Sequence, residues 1–268
     1  MYFTTNDGVQ LYYDVQGEGR PLLMLPGWTC STRFFDANVC ELSKKFKVIR
    51  MDFRGHGESE KPEFSHRISR YAMDVKNLLD YLDVEDVCAI GWSMGASVIW
   101  SYLELFGNHK ITAMVSVDQA PLQYTGPDWV WGQKGCYDAE MFVRLCKDLE
   151  YNHKGCSVGM VHNCMYRQPT EEEEKFFSEE IYKCPVYTAV EIMRDHTNLD
   201  WRDFIRRIQI PTLVCVARNS AIFDWHGSEW VGKNIQGAEI EYFENSGHML
   251  FFEEADKFNK VVERFASK

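Results

Sequence analysis

A short apolar run, Val87–Ile90, meets Gly91-Trp92-Ser93-Met94-Gly95, and the chain then continues into a helix-like segment, Ala96–Phe106. A strand that turns into a helix within so few residues must bend sharply at Ser93. A bend that tight strains the backbone, so the positions two residues to either side must be small. It also lifts the serine hydroxyl above the edge of a sheet and sets the next backbone N–H, that of Met94, at a helix N-terminus. A Gly-flanked serine that only caps a helix would not need both glycines and the strand before them.

The rest of the chain supplies the sheet that such a turn requires. Val9–Val15 alternates apolar and polar residues, while Leu22–Leu25, Val48–Met51, Ile111–Val117, Thr212–Val216 and Ile240–Phe243 are short and almost wholly apolar. Runs of that kind suit strands buried on both faces, as in a parallel sheet. Between them Arg70–Leu82 places Ala72, Val75, Leu78, Leu79 and Leu82 on one helical face. Strands alternating with such helices predict an α/β fold with right-handed crossovers. The rhythm stops between about residues 122 and 200, a stretch rich in Trp, Tyr, Met and charge, where Pro169-Thr170 precedes the acidic helix start Glu171–Glu174. The expected organisation is a core of residues 1–121 and 201–268 with a helical cap, residues 122–200, inserted into it.

Four stretches in this order resemble the α/β-hydrolase fold superfamily: Leu22–Trp28 (LLMLPGW), Asp52–Ser59 (DFRGHGES), Gly91–Gly95, and Asn245-Ser-Gly-His248. The resemblance implies a mostly parallel eight-stranded sheet with helices on both faces and a helical cap. It implies Ser93 as nucleophile and His248 as its general base, with the backbone N–H groups of Trp28 and Met94 as an oxyanion hole. Pro26 stands where many relatives have His, but the implied donor is Trp28, so the missing N–H of proline does not matter. His56, between two glycines, reads as a local packing or hydrogen-bonding residue.

The acid is less direct. Relatives often carry Asp in the loop that begins here with Ala217-Arg-Asn, where this chain has Asn219 and Ser220. A hydroxyl cannot do the electrostatic work of a carboxylate beside an imidazolium. Asp118, at the end of Ile111–Val117, is the first choice, because some groups of the superfamily take their acid after that strand and a strand end is a firm anchor. Asp224 is the second. A third possibility is an incomplete triad.

The expected activity is hydrolysis of a small, largely apolar ester, lactone or thioester through an acyl-enzyme. The pocket is expected among Trp28, Trp92, Trp129, Trp131 and Tyr124, with Tyr137, Phe142, Met160 and Met165 adding to an aromatic, Met-rich cap. Two other classes stay open: a cofactor-independent oxygenase or perhydrolase using a His–Asp dyad, and a small-molecule receptor with residual hydrolase activity. A net charge of −11, from 40 acidic and 29 basic residues, argues against nucleic acid or anionic membrane as partner. Nine irregularly spaced cysteines and no export-like start predict reduced thiols, no metal site and a cytoplasmic protein. A monomer or homodimer that needs no cofactor is expected.

Overall fold

A computed structural model of the chain describes residues 1–136 and 138–268, so Tyr137 lies outside the described residues. The strands are β1 (Tyr2–Thr4), β2 (Gln10–Gln16), β3 (Arg20–Leu25), β4 (Phe46–Met51), β5 (Val87–Trp92), β6 (Ile111–Val117), β7 (Thr212–Ala217) and β8 (Glu239–Phe243). They form one sheet in the order β1-β2-β4-β3-β5-β6-β7-β8. β1 and β2 run antiparallel to their neighbours, and every pair from β4 to β8 is parallel. The helices are α1 (Asp36–Leu42), α2 (Ile68–Tyr81), α3 (Met94–Phe106), α4 (Ala139–Cys164), α5 (Glu171–Tyr182), α6 (Val186–Thr197), α7 (Arg202–Ile205), α8 (Trp225–Asn234), α9 (Leu250–Glu253) and α10 (Ala255–Ala266).

The apolar runs behave as two-sided strands. Along β3, Leu23 and Leu25 pack with Ala72, Val75, Leu79 and Val98 of α2 and α3 on one face. Leu22 and Met24 pack with Phe34, Phe35, Phe258 and Val262 on the other. β1 is the strand that hydrophobic pattern does not reveal, since three residues at a sheet edge have no periodicity to read.

Between β6 and β7 lie α4, α5, α6 and the short α7, so the strand–helix rhythm breaks at a helical stretch. α5 opens where the acidic run begins, and Thr170 and Glu173 satisfy each other's backbone N–H groups in a capping box. α4 is bent at Asn152, which leaves helical geometry at φ −146° and ψ 54°. Residues 122–136 are irregular, held by bridges Leu122–Asp200 and Gln133–Phe223, because Gly126-Pro127, Gly132 and Gly135 interrupt any helix. Side chains tie this helical stretch to the loops after β3 and β4. Buried Glu180 accepts from Ser31 Oγ at 2.7 Å, Lys183 pairs with Glu58 at 2.6 Å, and Trp28 Nε1 donates to the Ala189 carbonyl at 2.9 Å.

Two histidines are sealed in the fold away from any site chemistry. His56 is buried within the β4–α2 loop with Nδ1 3.0 Å from the Arg54 carbonyl, and His196 is buried on α6 with an unpaired Nδ1. Burial lowers both pKa values from 6.5 to about 3. From pH 6.5 down to 3 the unfolded chain therefore binds protons that the folded chain refuses. Their contribution is complete above about pH 6.5 and is lost as the pH falls through that window. A His196→Gln variant is expected to lose less of its melting temperature between pH 7 and pH 5 than the parent does. Equal pH slopes in a thermal melt would contradict this.

Candidate active site

The strained turn read from Gly91–Gly95 is present. Ser93 has φ 54° and ψ −124°, a conformation that non-glycine residues adopt rarely and at a cost of order 1–3 kcal/mol. The glycines are obligatory for steric reasons. A Cβ on Gly91 would lie 2.5 Å from the Ala96 nitrogen, and one on Gly95 would lie 2.4 Å from the Leu25 carbonyl. The second contact draws the end of β3, and with it Pro26-Gly27-Trp28, against the turn.

Parallel pairing sets Asp118 beside Ser93. Trp92 registers with Val117, and Ser93 donates its N–H to the Val117 carbonyl at 2.9 Å. Asp118 then follows at the C-terminal edge of β6, itself at φ 44°, with its N–H on the Cys215 carbonyl at 3.0 Å. Two strained residues thus stand side by side at neighbouring strand ends, where an open α/β sheet places its sites.

His248 is held against Trp92 and Asp118. Its carbonyl accepts from Trp92 Nε1 at 2.9 Å, and its Nδ1 lies 2.6 Å from Asp118 Oδ2. Side-chain exposure is 1% for His248 and 0% for Asp118, so water does not screen this contact. Ser228 Oγ donates to the second carboxylate oxygen, Oδ1, at 3.1 Å. The imidazole is walled by Trp92 and Phe223, with ring centroids at 5.2 and 5.7 Å.

Asp224 is placed elsewhere. Its Oδ1 accepts the His226 N–H at 3.0 Å and meets His226 Nδ1 at 2.6 Å, as the N-cap of α8, with 41% of the side chain exposed. Ser220 has a structural task in the same loop. Its hydroxyl accepts from the N–H groups of Ile222 and Phe223, both at 3.3 Å, forming the turn that delivers Phe223 to the His248 ring.

The Gly27–Trp28 peptide is oriented by its neighbours. The Gly27 carbonyl takes the Cys30 N–H at 3.2 Å, so across the trans peptide the Trp28 N–H points the opposite way. Met94 N–H opens α3, where the first turn of a helix has donors to spare.

Trp28 also contributes its ring to a cavity of about 250 Å³, lined by Thr29, Gln133, Leu145, Asp148, Leu149, Met160, Asn163, Ile181 and Ile222 among others. Of the five residues expected to form a pocket, Trp28 alone is in that lining. Trp92 is fully buried against Phe34, Phe35 and Phe251. Trp129 packs edge to face with Trp131 and Trp230, Trp131 stacks on His226, and Tyr124 lies beside Thr197. Among the described residues no group of three or more His, Cys, Asp or Glu is arranged to hold a metal ion, and all nine cysteines are free thiols. No helix among the described residues is long and apolar enough to cross a membrane.

Sequence reasoning passed over Ser228, Phe223 and Gln133. Ser228 and Phe223 carry no motif, and their places depend on a loop whose path sequence does not specify.

A sheet of this order with a strained serine after its central strand and a buried His–Asp pair beside it defines a class, and the comparisons agree. The family model described as alpha/beta hydrolase fold matches residues 20–255, and the chain belongs to that family. It is 25% identical to the AB hydrolase superfamily protein YisY of Bacillus subtilis (strain 168), over 99% of this chain and 98% of that one. It is 24% identical to a non-heme chloroperoxidase, CPO-A1, of Kitasatospora aureofaciens, over 99% and 98%. Among solved structures an esterase from Exiguobacterium antarcticum superposes with a TM-score of 0.95 at 21% identity, covering 100% of this chain and 99% of the other.

Proposed function

We propose that this hydrolase is a serine esterase for small neutral esters or lactones, with Ser93 as nucleophile, His248 as general base and Asp118 as the acid that orients it. The observation that carries the reading is the 2.6 Å contact between His248 Nδ1 and Asp118 Oδ2, dry and adjacent to the strained Ser93 turn. A serine hydroxyl near neutral pH needs a base to remove its proton as it attacks. His248 Nε2 takes that proton while Ser93 Oγ bonds to the acyl carbon. Asp118 fixes the Nδ1–H tautomer and stabilises the imidazolium, and Ser228 holds the carboxylate from its other side. The carbonyl oxygen, now negative, takes the N–H groups of Trp28 and Met94. Collapse expels the alcohol, which receives the proton from His248, and water repeats the sequence to free the acid and Ser93.

The test is pre-steady-state hydrolysis of p-nitrophenyl esters from acetate to octanoate. A burst of p-nitrophenol stoichiometric with enzyme, followed by slower turnover, is expected when deacylation limits; no release above the buffer rate for any chain length would sink the reading.

The relation to a protein named as a chloroperoxidase favours a second use of the same acyl-enzyme. Hydrogen peroxide in place of water would release a peracid. Peracid formed from acetate and peroxide, and lost in Ser93→Ala, supports it; none formed rejects it.

A further inference from the structure

Gln133 is the residue whose chemistry the catalytic scheme leaves unused. It is 9% exposed and lines the 250 Å³ cavity, yet its side-chain carboxamide makes no hydrogen bond with any described residue. Its backbone is fixed on both sides, with Gln133 N–H on the Gln123 carbonyl and Lys134 N–H on the Ile222 carbonyl, both at 2.8 Å. The bridge partner of Gln133 is Phe223, the residue packed on the His248 ring. The carboxamide is not sealed from solvent, so water satisfies it in the free protein, and a ligand that displaces this water must replace its hydrogen bonds.

The rest of the lining narrows what that something is. Trp28, Leu149, Met160 and Ile222 give apolar walls, and the one charged carboxylate or ammonium group in the lining is Asp148. With no Lys or Arg among the described residues of the lining, an anionic substituent such as a carboxylate or phosphate gains no cationic partner and meets a like charge.

Resting on the esterase reading, we propose that Gln133 is a specificity-determining residue, and that the cavity takes a neutral acyl chain carrying one hydrogen-bonding group, a hydroxyl or an amide, which pairs with the Gln133 carboxamide. A plain alkyl analogue that displaces water from this amide leaves it unpaired, and the site rejects that analogue in favour of one that pairs with it.

Binding to the Ser93→Ala variant separates this from catalysis. By calorimetry, methyl 3-hydroxyhexanoate or methyl 6-hydroxyhexanoate is expected to bind about tenfold or more tightly than methyl hexanoate. Adding Gln133→Met, which keeps the length and removes the amide, is expected to erase that difference, and Gln133→Asn to restore part of it. Equal affinities in Ser93→Ala, a preference that survives Gln133→Met, or no binding of any of the three esters would each overturn the proposal. If the preference holds while the parent protein turns over none of them, the esterase reading fails and the recognition site stands.

Discussion

Ser93→Ala is expected to lower kcat for a p-nitrophenyl ester by about 10⁵- to 10⁶-fold with KM little changed. In the proposed mechanism the hydroxyl is the atom that bonds to substrate, while the cavity walls and the N–H groups of Trp28 and Met94 are untouched by the substitution. The residual rate would then be that of an oxyanion site without a nucleophile. The variant should fold as well as the parent or better, since Ser93 is 9% exposed and makes no side-chain bond that the fold depends on. A comparison of kcat, KM and thermal melts for the two proteins checks all three statements. A loss below about tenfold would show that Ser93 only positions the substrate.

The second large effect separates two carboxylates. Asp118→Asn is expected to cost about 10⁴-fold in kcat, because an amide neither fixes the Nδ1–H tautomer of His248 nor stabilises the imidazolium. The buried setting sharpens the loss: with 0% exposure on the Asp118 side chain, no water takes over the contact. Asp224→Asn should leave kcat/KM close to the parent value. That carboxylate is bound to His226 at the start of α8 and its side chain is 41% exposed. The reverse ranking in a steady-state comparison would mean that the His248 partner changes during turnover.

How far the sequence reaches can be judged from the same residues. The fold was legible because each strand from β2 to β8 is a short run with a chemical reason to be buried, and because the serine turn demands a strand before it and a helix after it. The strained turn at Ser93 was legible because its neighbours are constrained by backbone geometry: Gly91 and Gly95 have no room for a Cβ. Asp118 could be nominated from its strand end, but not separated from Asp224, because only the folded register of β5 and β6 says which carboxylate meets the imidazole. The pocket was the least legible. Trp129 and Trp131 are as apolar as any substrate-facing residue, and it is Trp230 and His226, brought up by α8, that occupy them. Gln133 gave no signal at all. One glutamine among aromatics has no pattern, and only the fold places its carboxamide in the cavity lining.

The central claim is that Ser93 is a nucleophile activated by His248 and Asp118, and covalent trapping tests it most directly. A fluorophosphonate should attach to the protein at one site, and mass spectrometry of the digested adduct should find it on the peptide containing Ser93. Labelling should slow by orders of magnitude in Asp118→Asn and disappear in Ser93→Ala. An adduct on another residue, or no adduct after prolonged exposure of the folded protein, would contradict the account.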